Sequence, residues 1–280
     1  MTRARGVVAV LTLLLLAGCA TRGPEPPPPS PTPASTVASS TPASAPASTV
    51  ASSTAAALPL RPDGFGEVLP TPPGLVDRRL PTVDRLPPPE SGRYESTISP
   101  LTTEQVARST WHPGCPVPPE QLRYLTMSFR GFDGRTHTGD MIVRQDVAPA
   151  VVGVFGRLFA AGFPIEEMRT STPDDLVAPR TGVGNDTAAY ACRAATGLGR
   201  FSAHAYGLAV DVDPFQNPYE RADGLVVPEL ASAYTDRGAV RPGMLRAGDA
   251  AVSAFTGIGW TWGGTWSSPR DIMHFSATGD

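Results

Sequence analysis

Regular patterns of apolar and polar residues occur mainly C-terminal to residue 100 of this 280-residue chain. Alternation predicts strands at 122–130 and 139–144, separated by a turn at Phe132-Asp133-Gly134. Helical spacing predicts a helix over 148–161 that stops at Gly162, and Thr102 or Thr103 is expected to cap an earlier one. Residues 209–213 alternate like a strand that breaks at Pro214. Strands and helices without regular βαβ order predict an α+β fold, with a small antiparallel sheet flanked by helices.

The first third of the chain has a different character. Residues 22–57 are nearly all Pro, Ala, Ser and Thr, and the segment 34–41 recurs as 47–54. Such a stretch buries too little apolar surface to offset the entropy of ordering. Pro and Gly stay frequent to about residue 100, so we predict a disordered tether over 19–100 and one folded domain over 101–280.

An export signal precedes this tether. Arg3 and Arg5 are followed by the apolar run 7–16, which is too short to span a bilayer but suits a signal peptide. The run ends in Leu16-Ala17-Gly18-Cys19, which resembles a bacterial lipobox. We therefore expect a signal peptide over 1–18, lipidation of Cys19, and attachment to the membrane outside the cytoplasm. The alternative is an ordinary secreted leader with an incidental cysteine.

Export changes the interpretation of the other two cysteines. Outside the cytoplasm a remaining pair tends to be oxidised, so a Cys115–Cys192 disulfide is predicted. Two buried free thiols are the alternative, and zinc ligation is disfavoured because neither cysteine has a CxxC partner. The net charge of −3 gives no reason to expect a nucleic-acid partner. The protein is expected to be a monomer.

The densest chemical signal is a His-Asp motif followed by a late second histidine. His204 and Asp211 stand seven residues apart, and His274 comes near the end of the chain. A helix could bring the first two together, but Gly207 and the alternation after it favour a loop that enters a strand. On such a strand the side chain of Asp211 would face the site, and the side chains of its neighbours would face the core. Two imidazoles and a carboxylate are ligands that catalytic zinc takes, leaving a fourth position for water.

Hydrolysis also needs a proton carrier and a positive partner for the carbonyl oxygen. Asp271, three residues before His274, is the candidate base, and orientation of His274 is the alternative role. Arg193, beside Cys192, is the candidate cation. Asp213 is interpreted as a turn residue before Pro214 rather than as a metal ligand. The histidines at 112 and 137 lack ligand-spaced partners and are interpreted as structural.

The ordered series of motifs resembles the D-alanyl-D-alanine carboxypeptidase and L-alanyl-D-glutamate endopeptidase family of zinc peptidases, whose fold is shared by the Hedgehog signalling domain. Over about 110–277 the chain has Cys-Arg, S-x-H-x-x-G-x-A-x-D, Trp262-Gly-Gly-x-Trp266 and D-x-x-H-F, in that order. The resemblance implies the following roles: zinc ligands His204, Asp211 and His274, catalytic base Asp271, transition-state or substrate arginine Arg193, and a position near the substrate for Ser202. Trp266 is a candidate for the wall of the substrate groove, and packing in the core is the alternative.

This resemblance implies hydrolysis of peptidoglycan stem peptides, as a D,D-carboxypeptidase or an endopeptidase. Asp at position 271 resembles the endopeptidase branch, since the dipeptidase branch and some carboxypeptidase branches place Glu there. Two other classes of protein carry some of the same residues. A zinc-containing module that binds wall peptide or protein without cutting has no need of Asp271 and Arg193. A serine hydrolase is disfavoured because Ser202 lies in no nucleophile elbow.

Overall fold

A computed structural model describes residues 56–195 and 199–279. The predicted signal peptide, Cys19 and the first part of the predicted tether lie outside these residues. In the described ranges no helix has the length and apolar character needed to cross a bilayer. The α-helices described are α1 (Thr103–Arg108), α2 (Ala148–Ala160), α3 (Pro173–Val177) and α4 (Ala250–Thr256). The strands are β1 (Ser96–Pro100), β2 (Leu122–Arg130), β3 (Thr136–Arg144), β4 (Glu167–Met168), β5 (Asp186–Thr187), β6 (Ala209–Asp211), β7 (Tyr219–Glu220), β8 (Val226–Val227), β9 (Thr261–Trp262), β10 (Arg270–Asp271) and β11 (His274–Ser276).

An antiparallel sheet in the order β1-β2-β3 supports one side of the core. The β2–β3 hairpin pairs without interruption from Leu122 opposite Arg144 to Arg130 opposite Thr136. Helix α2 lays its apolar face on β2, and Phe155 of α2 meets Phe255 of α4 edge to face at 6.2 Å. Two aromatic rings in this geometry add to the stabilisation from their burial.

A second antiparallel sheet, in the order β6-β11-β9, crosses the same core. Val210 of β6 pairs with Phe275 of β11, which stacks on Phe255 with ring centroids 4.0 Å apart. Because side chains alternate along a strand, the neighbouring pair Asp211 and His274 points to the opposite face. The sheets and helices confirm the α+β class, while likeness to the Hedgehog domain stays a prediction.

The described residues before position 101 pack onto the domain, so the predicted tether boundary at residue 100 is wrong for this part of the chain. β1 is an edge strand of the first sheet. Arg78 is buried and makes a two-point ion pair with Glu166, Nε–Oε2 2.8 Å and Nη2–Oε1 2.6 Å. Its guanidinium also lies 4.4 Å above the ring of Phe215. The Pro-rich extended segment is thus ordered at positions where single side chains make buried contacts with the domain.

Removing the Arg78 side chain tests this packing. Arg78→Ala leaves the buried carboxylate of Glu166 without its guanidinium, and we expect the free energy of unfolding to fall by about 3–5 kcal/mol. Arg79→Ala is the matched control, since Arg79 pairs with Asp77 on the surface and such pairs contribute about 1 kcal/mol or less. Urea unfolding followed by circular dichroism measures both. Equal effects of the two substitutions would contradict the packing described.

Candidate metal and catalytic site

His204 sits on a short 3-10 helix, Ala203–Tyr206, at the entrance to β6. The hydroxyl of Ser202 caps this helix by accepting a hydrogen bond from the His204 N–H at 3.4 Å. Gly207 ends it with φ +65°, and a Cβ there would lie 2.5 Å from the backbone nitrogen of Arg144. Glycine is therefore required by both conformation and space. The loop-into-strand arrangement is what the structure has, and the alternative of a helix carrying both His204 and Asp211 is wrong.

One hydrogen bond fixes the His204 ring. Its Nδ1 lies 2.5 Å from the carbonyl oxygen of Ala189, which can only accept, so Nδ1 carries the proton and donates it. In the neutral ring Nε2 then holds a lone pair. This nitrogen points at Asp211 and His274, as a metal-binding imidazole with an oriented outer nitrogen does.

Three candidate ligand side chains converge at the end of β6. His204 Nε2 lies 3.2 Å from His274 Nδ1 and 3.2 Å from Asp211 Oδ2, and His274 Nδ1 lies 3.0 Å from Asp211 Oδ1. Ligands of a tetrahedral zinc ion are separated by about 3.3 Å, given metal–ligand distances near 2.0–2.1 Å. The donor types and the spacing both fit zinc. Among the described residues, one other group of His, Cys, Asp or Glu has its potential ligand atoms this close together. It consists of His112 and the disulfide-bonded Cys115 and Cys192.

The charge of Asp211 suits this arrangement. Burial raises the pKa of Asp211, but the adjacent His204 and His274 more than offset it and hold the pKa well below its usual range. Asp211 is therefore a carboxylate at neutral pH, with two imidazole rings beside it. Such a cluster attracts a divalent cation.

Asp271 lines the same cavity as the three candidate ligands, and one of its carboxylate oxygens makes no hydrogen bond to the described residues. Its Oδ1 is buried and has no hydrogen-bond partner among the described residues. Burial and the charge of Asp211 raise its pKa to about 7, against the opposing influence of His274 and Arg193. A carboxyl group that titrates near neutrality can both accept and release a proton.

Gly263 and Trp262 of the Trp262-Gly-Gly motif lie against the backbone around Asp271. A Cβ on Gly263 would lie 2.4 Å from the carbonyl oxygen of Asp271, so the backbone can approach only because residue 263 is glycine. The indole of Trp262 donates to the carbonyl of Ile272 at 2.8 Å. This part of the motif therefore positions the strand that carries Asp271, a role that sequence reasoning missed.

A cavity of about 620 Å³ joins the predicted site residues. Its lining includes His204, Asp211, His274, Asp271, Arg193, Ser202 and Trp266. The predicted Cys115–Cys192 disulfide is confirmed, and it anchors the backbone next to the exposed Arg193. The ring of Trp266 lies 5.7 Å from that of His274. Sequence reasoning thus selected residues that the fold brings together, while their individual roles stay predictions.

The remaining polar candidates lie elsewhere. His137 is buried between Asp84 and Asp133, at 2.7 Å and 3.1 Å, and takes no part in lining the cavity. His112 packs beside the disulfide, with Nε2 3.6 Å from Cys192 Sγ. Asp213 has φ +41°, and its carbonyl accepts from the N–H of Asn217 at 3.0 Å. These contacts favour structural roles for all three.

One wall of the cavity was not predicted. It includes Phe65, which belongs to the segment interpreted as tether, and Arg180, which follows α3. The turn sequence Arg61-Pro-Asp-Gly-Phe was the available signal, since Asp-Gly after Pro marks a tight turn inside the Pro-rich stretch. It indicates local order but says nothing of a neighbouring cavity.

Comparisons with known proteins support the resemblance for part of the chain. No curated protein and no solved structure matches it. The family match spans His204, Asp211, Asp271 and His274, but it does not reach Arg193 or the N-terminal segment. Residues 196–277 match the family model described as D-alanyl-D-alanine carboxypeptidase, so the predicted family resemblance is confirmed over that region.

Proposed function

We propose that this chain is a zinc-dependent peptidase that hydrolyses peptidoglycan stem peptides at the cell envelope. The family match indicates a peptidase. The observation that carries the finer proposal is the convergence of His204 Nε2, His274 Nδ1 and the Asp211 carboxylate at 3.0–3.2 Å, with Asp271 in the same cavity. A binding module would need the first three groups but not the fourth.

His204, Asp211 and His274 would hold the metal. Zinc, when bound, supplies a Lewis acid and lowers the pKa of water toward neutrality. Asp271 takes the proton from the attacking water and delivers it to the departing amine, and burial together with the charge of Asp211 raises its pKa in the direction that this role needs. Arg193 supplies positive charge for the carbonyl oxygen or for a substrate carboxylate, and the indole of Trp266 provides an apolar surface for the peptide.

Placement at the envelope rests on the N-terminal motif. A lipidated Cys19 followed by the Pro/Ala/Ser/Thr-rich segment would attach the domain to a membrane and let it reach nearby wall. The Cys115–Cys192 disulfide supports an oxidising compartment. Stem peptides are the substrates that this location offers to a peptidase of this family.

Mass spectrometry of muropeptides incubated with the zinc-loaded full chain tests the activity. We expect products that disappear when a chelator is added and return with zinc. Loss of one D-Ala would identify a D,D-carboxypeptidase, and release of fragments beginning at D-Glu an endopeptidase. Unchanged muropeptides, in a sample with one zinc per chain, would contradict the enzyme and favour a module that binds wall peptide.

A further inference from the structure

The segment before residue 101 contributes a fixed aromatic ring to the cavity. Residues 60–66 form a tight turn in which Leu60 pairs with Gly66, and the N–H of Arg61 donates to the Phe65 carbonyl at 2.7 Å. Gly64 adopts φ +83° at its tip. The turn projects the Phe65 ring into the lining of the cavity.

Three polar contacts tie this turn to the region of the family match. Asp63 pairs with Arg221 at 2.5 Å, and Arg61 pairs with Asp223 at 2.8 Å. The N–H of Gly66 donates to the buried carboxylate of Glu229 at 2.9 Å. A single exposed pair would contribute little, but a network with one buried member defines the position of the ring.

Two guanidinium groups lie against Phe65, and they differ in one respect. Arg221 lies 5.7 Å from the ring centroid and is paired with both Asp63 and Asp223. Arg180 lies 4.9 Å from the centroid and has no carboxylate within 4.0 Å among the described residues. Both Phe65 and Arg180 line the cavity.

Nearby acidic charge does not neutralise Arg180. Asp175 lines the cavity as well, but Arg169 holds it through two hydrogen bonds of 2.7 Å and 2.8 Å. The positive charge of Arg180 is therefore open to a ligand. Stacking on an aromatic face orients a guanidinium, and its planar fork matches a carboxylate.

We propose that Phe65 and Arg180 form a subsite that binds a carboxylate of the substrate, separate from the group His204, Asp211 and His274. Identification of that substrate as a wall peptide rests on the proposed function. The carboxylate assigned to this subsite is that of the glutamate within the stem peptide, not the one at the C-terminus. The N-terminal segment thus takes part in selecting the substrate.

A pair of synthetic stem peptides tests the subsite. Both end in D-Ala-D-Ala, and they differ only in whether an upstream glutamate carboxylate is free or amidated. We expect the zinc-loaded full chain to prefer the free carboxylate by about fivefold in Kd and in kcat/KM, the value of a partly exposed ion pair. Fluorescence anisotropy gives Kd, and chromatography of products gives the kinetics.

Variants assign that preference to residues. Arg180→Gln should bring the ratio to about one by weakening binding of the free-carboxylate peptide, with kcat unchanged, and Phe65→Leu should lower the ratio. Arg79→Gln removes a surface charge outside the cavity and should leave the ratio as in the wild type.

The outcomes separate this subsite from the proposed activity. Equal binding of the two peptides by the wild type would overturn the subsite, as would a preference that survives in Arg180→Gln. Preferential binding without cleavage of either peptide would leave the subsite standing and contradict the peptidase.

Discussion

Replacing His204 by alanine should reduce the bound zinc from about one ion per chain to less than about one-tenth, and should abolish hydrolysis. His204 supplies one of three converging atoms, and its Nδ1 hydrogen bond to Ala189 orients the ring toward Asp211 and His274. Loss of even an outer partner of a zinc ligand costs about 10–100-fold in affinity, and loss of the ligand itself costs more. Elemental analysis after dialysis against a fixed free zinc concentration measures the occupancy.

His112→Ala is the matched control, because His112 lies beside the disulfide and outside the cavity. It should keep both zinc and activity. Since a ligand that binds only the folded state raises the melting temperature, a chelator should lower Tm for wild type and His112→Ala but not for His204→Ala. Full zinc occupancy in a folded His204→Ala protein would show that the assignment of the ligands is wrong.

Periodicity predicted the elements that pack on the core. The alternating segment 122–130 is a strand with the predicted bounds, and the helix predicted over 148–161 spans Ala148–Ala160. In both elements one face is buried in the core, and this burial produces the apolar periodicity seen in the sequence. The strand predicted to reach Asp213 ends at Asp211, because Asp213 adopts φ +41° and begins a turn that runs through Pro214 to Asn217.

Alternation also predicted which way Asp211 faces. Val210 and Val212 are fully buried in the core, and Asp211 lines the cavity. What alternation could not give is the partner strand: the pairing of Asp211 with His274 across β6 and β11 depends on register between segments 63 residues apart. Motif resemblance, not residue pattern, connected them.

The segment before residue 101 escaped prediction for a physical reason. β1 has an exposed, interrupted burial pattern and ends in Pro100, so it acquires strand structure only by pairing with β2. Arg78 is anchored by one buried acidic partner 88 residues away. A proline-rich composition predicts disorder, but it carries no information about single long-range contacts. The contribution of Phe65 to the cavity depends on such contacts and was therefore not predicted.

Replacing Asp271 by asparagine should lower kcat by about 10²–10⁴-fold while zinc stays bound, because the change removes proton transfer and keeps the shape of the side chain. Asp271 Oδ1 has no partner among the described residues, so the substitution breaks no bond made by that oxygen. Zinc occupancy, Tm and kcat measured on the same preparation separate this result from His204→Ala, in which metal and activity are lost together.

Asp213→Asn makes the comparison specific to proton transfer. Asp213 is also buried, burial raises its pKa well above the usual range, and its Oδ2 lacks a partner among the described residues. It lies outside the cavity, and its φ of +41° is one that asparagine accepts. Because Asp213 lies outside the cavity and asparagine keeps an oxygen that can accept the N–H of Glu166, amidation should leave kcat within about twofold of wild type. A kcat for Asp271→Asn as high as that of Asp213→Asn would show that Asp271 carries no proton, and it would leave orientation of His274 as its role.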